Sequence, residues 1–194
     1  MNAAEIIRLV LACLFTVVAT YYFAAIVQTL LHRIFGHHDR IRAVYVTHAQ
    51  GHHGKYPPQR LLSDEWLDSE QHVMWYYAIP FVPAALLVGW LFGPWIFASH
   101  VAGMTFAIWW HIYLHKQYHL KGSPWARFRW FQRKRALHFV HHRQVHKNYA
   151  IVEYWIDVLL RTRQEPEEEG KKKKTSNIER PTSNIEVERQ RQRP

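Results

Sequence analysis

From Ile6 to Leu31 the chain reads IIRLVLACLFTVVATYYFAAIVQTLL, an apolar run broken by one charge, Arg8. Crossing a hydrocarbon core about 30 Å thick takes about 20 apolar helical residues, so this run predicts a transmembrane helix. A cleaved signal peptide fits it poorly, because a basic leader is missing and the apolar run is too long. A second stretch, Gln71 to His115, contains no Asp, Glu, Lys or Arg. Gly93-Pro94 divides it into halves of about twenty residues, each the length of one span. The pattern predicts a transmembrane hairpin turning at Gly93-Pro94, with its first arm kinked by Pro80 and Pro83.

Three spans place the end of the first, the start of the second and the end of the third on one side. Arg33, Arg40, Arg42, Lys55 and Arg60 flank that side after the first span, and Lys116, Lys121, Arg127, Arg129, Arg133, Lys134 and Arg135 follow the third. Basic loops face the cytoplasm, so the N-terminus and Gly93-Pro94 are expected outside. The chain then divides into a membrane-embedded domain over residues 1–163 and a tail over 164–194. The tail is charged, lacks a core-forming pattern and repeats TSNIE at 175–179 and 182–186, so it is expected to be disordered. Its Lys171 to Lys174 run suits a solvated segment or attraction to a membrane surface.

The balance of 25 Lys and Arg against 15 Asp and Glu would suit nucleic acid, a membrane surface or a cytoplasmic loop. The apolar runs favour the last two. In KQYHLKGSPWARFRWFQRKR, residues 116–135, basic groups at anionic headgroups with Trp125, Trp130 and Phe131 at the interface account for the composition without a nucleic-acid partner. One cysteine, Cys13, excludes an intrachain disulfide and a thiolate metal site.

The polar segments concentrate histidine. His32-x4-His37 is followed by His38, and His48-x3-His52-His53 comes next. His111-x3-His115 leads to His119, and His138-x2-His141-His142 leads to His146. Offsets of three and four place side chains on one helix face about 5–6 Å apart, close enough for two imidazoles to share a metal. The offset of five from His32 to His37 turns roughly 140° on an ideal helix, and Gly36 between them suggests that the helix ends or breaks there. His48 and His52 share a face, whereas His53 points elsewhere and suits a second metal. Ten imidazoles at paired spacings would be costly to bury without a shared ligand. Ten nitrogens suit two metals at about five each, with open positions for dioxygen or water. His38, His119 and His146 are read as groups that orient the ligands or as surface residues. His72 and His100 are read as core or interface residues. His100 also lies eleven residues before His111, roughly 16 Å deeper on nearly the same face, where it would line a substrate path.

Several metal chemistries are missing from the chain. It has no HExxH of zinc peptidases, no ferritin-like Glu-x-x-His pair and no cysteine pair for zinc ribbons or iron–sulfur clusters. The succession HRIFGH, HAQGHH, HIYLH and LHFVHH, then HKNYAIVEYWIDVLLRT, resembles the fatty acid hydroxylase/sterol desaturase superfamily of membrane di-metal oxygenases over about residues 10–163. The nearest pattern is that of the fatty acid and sphingolipid 2-hydroxylase branch, H-x4-H, H-x2-HH, H-x3-H, H-x2-HH. The resemblance implies an all-α integral membrane helical bundle of about three transmembrane spans under a cytoplasmic, helical, His-rich metal-binding cap. It implies metal ligation by His32, His37, His48, His52, His53, His111, His115, His138, His141 and His142. Asn148, Tyr149, Trp155, Asp157 and Thr162 resemble the family's closing segment, which makes Asn148 and Asp157 candidates for orienting the ligands.

Three departures stand out. The second cluster has three residues before its histidine pair instead of two, Ala150 stands where the family commonly has Gly, and no cytochrome b5 domain is fused to the chain. The resemblance implies two iron ions, with zinc able to replace them on overproduction because imidazole sites favour zinc over ferrous iron. It further implies a lipid substrate (fatty acyl, sphingolipid, sterol or isoprenoid), dioxygen, and a separate cytochrome b5-like or ferredoxin-like electron donor with its reductase. Hydroxylation is the favoured reaction. Desaturation by the same architecture remains open, as does a non-enzymatic, metal-binding membrane protein.

Overall fold

The computed structural model describes residues 1–68 and 75–167, so His72, the Lys171 to Lys174 run and the TSNIE repeat lie outside the described residues. Met1–Gln164 forms one compact unit. The described residues are helical, with no strand among them. Helix α1 (Ala3–Leu31) starts at a reciprocal cap: the Asn2 side chain accepts from the Glu5 N–H and the Glu5 carboxylate accepts from the Asn2 N–H. No Gly or Pro interrupts it, and it runs into a π-helical turn, π1 (His32–Gly36). Then come α2 (Arg42–Tyr45), a second π-helical turn π2 (Val46–His52), and the single turn α3 (His53–Lys55). Further along the chain are α4 (Trp75–Ala78), α5 (Phe81–Phe92), α6 (Pro94–His119), α7 (Arg129–Arg143) and α8 (Trp155–Leu159).

Among the described residues, the continuous helix Ala3–Gly36 is the one long and apolar enough to cross a membrane. Its N-terminal half presents Ile7, Leu11, Leu14 and Phe15 outward, whereas a soluble core helix would bury such residues. The turn expected at Gly93-Pro94 is present. Gly93 has φ +79°, a left-handed conformation open to glycine, and Pro94 opens α6 where its missing N–H costs nothing. The first arm differs from the expected kinked span. Pro80, which has no N–H and would crowd the preceding turn, stands at the break between α4 and α5. The remaining α5, at 12 residues, covers only about 18 Å.

α1 and α6 lie against each other through small residues. A Cβ at Gly103 would stand 2.7 Å from the Val17 carbonyl oxygen, so only glycine permits this approach. Ala24, Phe81 and Ala107 fill the adjoining core. At the far end of α6, Leu114 and Tyr118 pack with Phe131 of α7 and with Ile151 and Val152. Arg135 donates to the carbonyls of Gln117 and Leu120, satisfying acceptors that the helix end leaves open. Backbone pairing of Ser63 with His119 and Lys121 ties the 57–68 loop to the same place. The C-terminus of α1, both π turns, the end of α6 and the end of α7 therefore meet in one layer, and that layer carries the histidines.

Candidate metal centre

The two π turns shape the first half of the site. A π-helix pairs residue i with i+5, so side chains five apart stack along one face where an α-helix would splay them. His32 and His37 accordingly approach to 3.2 Å between Nε2 atoms, and His48 and His53 to 3.2 Å. The helix widens from His32 and ends at Gly36, as the glycine between the two histidines suggests. Gly36 leaves room for the two rings beside it, since a Cβ would fall 2.9 Å from His32 Cδ2 and 3.1 Å from His48 Cδ2. Regular helix suffices on the other side, where α6 supplies His115 and His119 at offset four and α7 supplies His138, His141 and His142 at offsets three and four.

These residues form two groups, each with its potential ligand atoms within 4.8 Å of one another. One comprises His52, His115, His119, His138 and His142, and the other His32, His37, His48 and His141. His53 adjoins the second group through His48 and stacks on His142 of the first, with ring centroids 4.3 Å apart. His111 lies one turn before His115, ring centroids 6.3 Å apart, and is in neither group. His119, expected to orient ligands or lie on the surface, is fully buried inside the five-histidine group. His38 and His146 are exposed.

Hydrogen bonds on the outer ring nitrogens fix the chemistry of the inner ones. Nδ1 of His32, His119, His141 and His142 faces the carbonyls of Tyr149, Leu61, Lys147 and Tyr56 at 2.6, 2.9, 2.7 and 2.9 Å. His52 Nδ1 faces the buried Asp68 carboxylate at 2.6 Å. A carbonyl or carboxylate only accepts, so each Nδ1 carries the hydrogen and each neutral ring leaves Nε2 as a bare lone pair. Those lone pairs point at one another: His52 and His142 Nε2 lie 3.1 Å apart with no hydrogen to share. His32 and His141 both face His37 Nε2, at 3.2 and 3.0 Å, although one ring nitrogen can donate to only one of them.

Protonation offers little relief. Burial pushes His119 down to about 4, partly offset by its Leu61 carbonyl partner. Burial, reinforced by neighbouring imidazoles, lowers His37, His48, His52, His53, His138, His141 and His142. A cation between the nitrogens converts the repulsion into ligation. With metal–nitrogen bonds of about 2.1 Å, ligands at right angles lie about 3.0 Å apart. The contacts of 2.8 Å for His32–His48, 3.0 Å for His52–His115 and 2.9 Å for His119–His138 match that spacing. The groups therefore have the chemistry, protonation and separations of metal sites.

The closing segment supports them. Asp157, fully buried, accepts from the N–H groups of Tyr149 and Ala150 and from the Thr162 hydroxyl. This fixes the backbone that presents the Tyr149 carbonyl to His32. Asn148 sits at φ +52°, which asparagine tolerates, and its side chain joins the Leu137 carbonyl to both backbone groups of Gln164. The spacing of the histidines does not point to Asp68. Sixteen residues beyond His52 in an irregular loop, it belongs to no periodic pattern, and the signal available was an acidic residue downstream of a histidine cluster, the pairing that orients metal-bound imidazoles. No family model, curated protein or solved structure matches the chain.

Proposed function

We propose that this chain is a membrane-bound di-iron oxygenase that hydroxylates an unactivated C–H bond of a lipid. One observation carries the reading: nine buried or half-buried imidazoles converge in two groups, and the five whose Nδ1 faces a carbonyl or carboxylate turn a bare Nε2 inward. In the overall reaction a C–H bond, dioxygen, two electrons and two protons yield an alcohol and water. Bound iron supplies the dioxygen activation and electron storage that amino-acid side chains lack. His52, His115, His119, His138 and His142 would hold one ion, and His32, His37, His48 and His141 the other, with His53 beside His48. An all-nitrogen set of this kind suits redox iron as well as zinc.

The remaining residues hold these rings in place. Asp68 and the carbonyls of Tyr56, Leu61, Lys147 and Tyr149 keep Nδ1 protonated and the rings oriented, and Asp157 braces the Tyr149 backbone. The apolar Ala3–Gly36 helix supports placement in a membrane. The reading takes α1 and the two arms over residues 71–115 as three spans, with the basic flanks and histidines on the cytoplasmic side. The substrate is a fatty acyl, sphingolipid, sterol or isoprenoid chain. Electrons come from a separate cytochrome b5-like or ferredoxin-like protein and its reductase.

The test compares lipids of cells carrying the protein with those of cells carrying His32→Ala or His142→Ala, grown under labelled dioxygen. A lipid heavier by one labelled oxygen, absent from both variants, supports the proposal. A product lacking two hydrogens with no added oxygen assigns desaturation instead. Two bound metals with no dioxygen-dependent product leave a metal-binding protein without this activity.

A further inference from the structure

A cavity of about 590 Å³ lies between α1, α5 and α6, away from the imidazole layer. Thr20 precedes His32 by twelve residues and His100 precedes His115 by fifteen, about 18 Å and about 22 Å of helix at 1.5 Å per residue. The walls are apolar, with Phe15, Phe23, Leu87, Val88 and Phe92 prominent, and no charged side chain lines them. Its volume falls in the range of about 300–1,000 Å³ typical of small-molecule sites. Phe15, Leu87 and Phe92 are more than half exposed, so the rim opens onto the apolar outer surface.

Three polar side chains interrupt the lining: Thr16, whose hydroxyl donates to the Ala12 carbonyl of its own helix, Thr20 and His100. His100, 6% exposed, places Nδ1 2.9 Å from the Thr20 hydroxyl, and its buried Nε2 has no hydrogen-bond partner among the described residues. Leaving a buried ring nitrogen unmet is costly, and native structures rarely do so. His100 is part of the cavity wall, so a ligand hydroxyl brought against its ring would meet this nitrogen. The absence of charge in the walls excludes an ionic headgroup. Thr20 can donate to Nδ1, which leaves Nε2–H as a donor, or accept from it, which leaves Nε2 as an acceptor. A hydroxyl complements either state.

We propose that this cavity binds an uncharged lipid alcohol, with the hydroxyl paired to His100 Nε2 and the hydrocarbon filling the space between Phe15, Phe23, Leu87 and Phe92. The site does not depend on the oxygenase reading and stands if that reading fails.

The metal-loaded, full-length protein in lipid nanodiscs is irradiated with one of three diazirine probes: a long-chain alcohol, an alkane of the same length, or a sterol. Labelled peptides are mapped by mass spectrometry. At least one alcohol should label residues 12–23 and 84–100 about five- to tenfold more than the alkane, the preference expected of one buried hydrogen bond. Whichever of the linear alcohol and the sterol labels more strongly identifies the source. His100→Leu should bring the ratio to about one, whereas His100→Gln, which keeps a donor and an acceptor, should retain part of it. Equal labelling by alcohols and alkane in the wild-type protein would show a groove filled by bulk acyl chains and overturn the proposal, with no variant needed. A preference that survives His100→Leu, or labels that map elsewhere, would overturn it too.

Discussion

Gly36→Ala sets two opposing effects against each other at the metal centre. Helix propensity favours alanine over glycine by about 1 kcal/mol, and Gly36 has no left-handed backbone to lose. Against this, the new Cβ would lie 2.9 Å from His32 Cδ2 and 3.1 Å from His48 Cδ2. Ordinary carbon contacts begin near 3.5 Å, so the rings must yield by about 0.6 Å and about 0.4 Å. Neither can swing freely: His32 is held at 2.6 Å to the Tyr149 carbonyl, and His48 Nε2 sits among three other ring nitrogens. Ligand geometry tolerates about 0.5 Å. Sterics should therefore win at the site, with about 1–3 kcal/mol of overpacking against the propensity gain. The expected result is loss of the metal proposed for His32, His37, His48 and His141, with affinity down about 10–100-fold, while an ion at the five-histidine group is kept. The assay is metal content per chain after dialysis against graded chelator, alongside thermal unfolding. Gly54→Ala, whose Cβ would meet nothing within 4 Å, is the matched control and should keep both metals. Wild-type retention of two metals by Gly36→Ala would refute the assignment of that group.

Asp68→Ala removes the acceptor that holds His52 Nδ1–H and should weaken the five-histidine site about 10–100-fold in chelator competition, with Asp68→Asn intermediate because its amide oxygen still accepts. His119→Ala should cost a metal as fully as His142→Ala while His146→Ala costs none; elemental analysis showing the reverse order would remove His119 from the ligand set. Acid should destabilise the metal-free protein. His119 has a folded value of about 4, below the unfolded value of about 6.5, so its contribution is complete above pH 6.5 and lost as pH falls through 4. It accounts for a loss of about 2 kcal/mol at pH 5, and chemical denaturation at pH 7 and pH 5 with equal stability would contradict this.

The apolar pattern predicts α1 and the Gly93-Pro94 turn well because each follows from local chemistry: an uninterrupted run with a cap, and a residue pair that can do little else. The arm before that turn is less legible. Pro80 and Pro83 announce a distortion, but a kink and a break differ by how neighbouring chain satisfies the freed carbonyls, which composition does not encode. In the centre, the histidines are visible as clusters. Their orienting partners are mostly not, because the carbonyls of Tyr56, Leu61, Lys147 and Tyr149 belong to the main chain and any residue type could present them.

The second cluster shows why spacing has to be read together with helix type. His48, His52 and His53 have offsets of four and five, one more than the offsets of three and four that relate His138 to His141 and His142. On a regular α-helix His48 and His52 would still share a face, but His53, five residues from His48, would be turned roughly 140° away, since about 3.6 residues complete a turn. His138, His141 and His142 do occupy regular helix, α7, whereas His48 and His52 occupy the π turn Val46–His52, with His53 directly following. With hydrogen bonds running from i to i+5, offsets of four and five straddle one turn there as three and four do on an α-helix. The added residue is thus absorbed by the wider turn. The first cluster obeys the same rule, with His32 and His37 joined across a π turn at offset five. An offset that would place two ligands about 140° apart on an α-helix places them on one metal-facing side in both cases, so the departures in spacing and in helix type compensate each other.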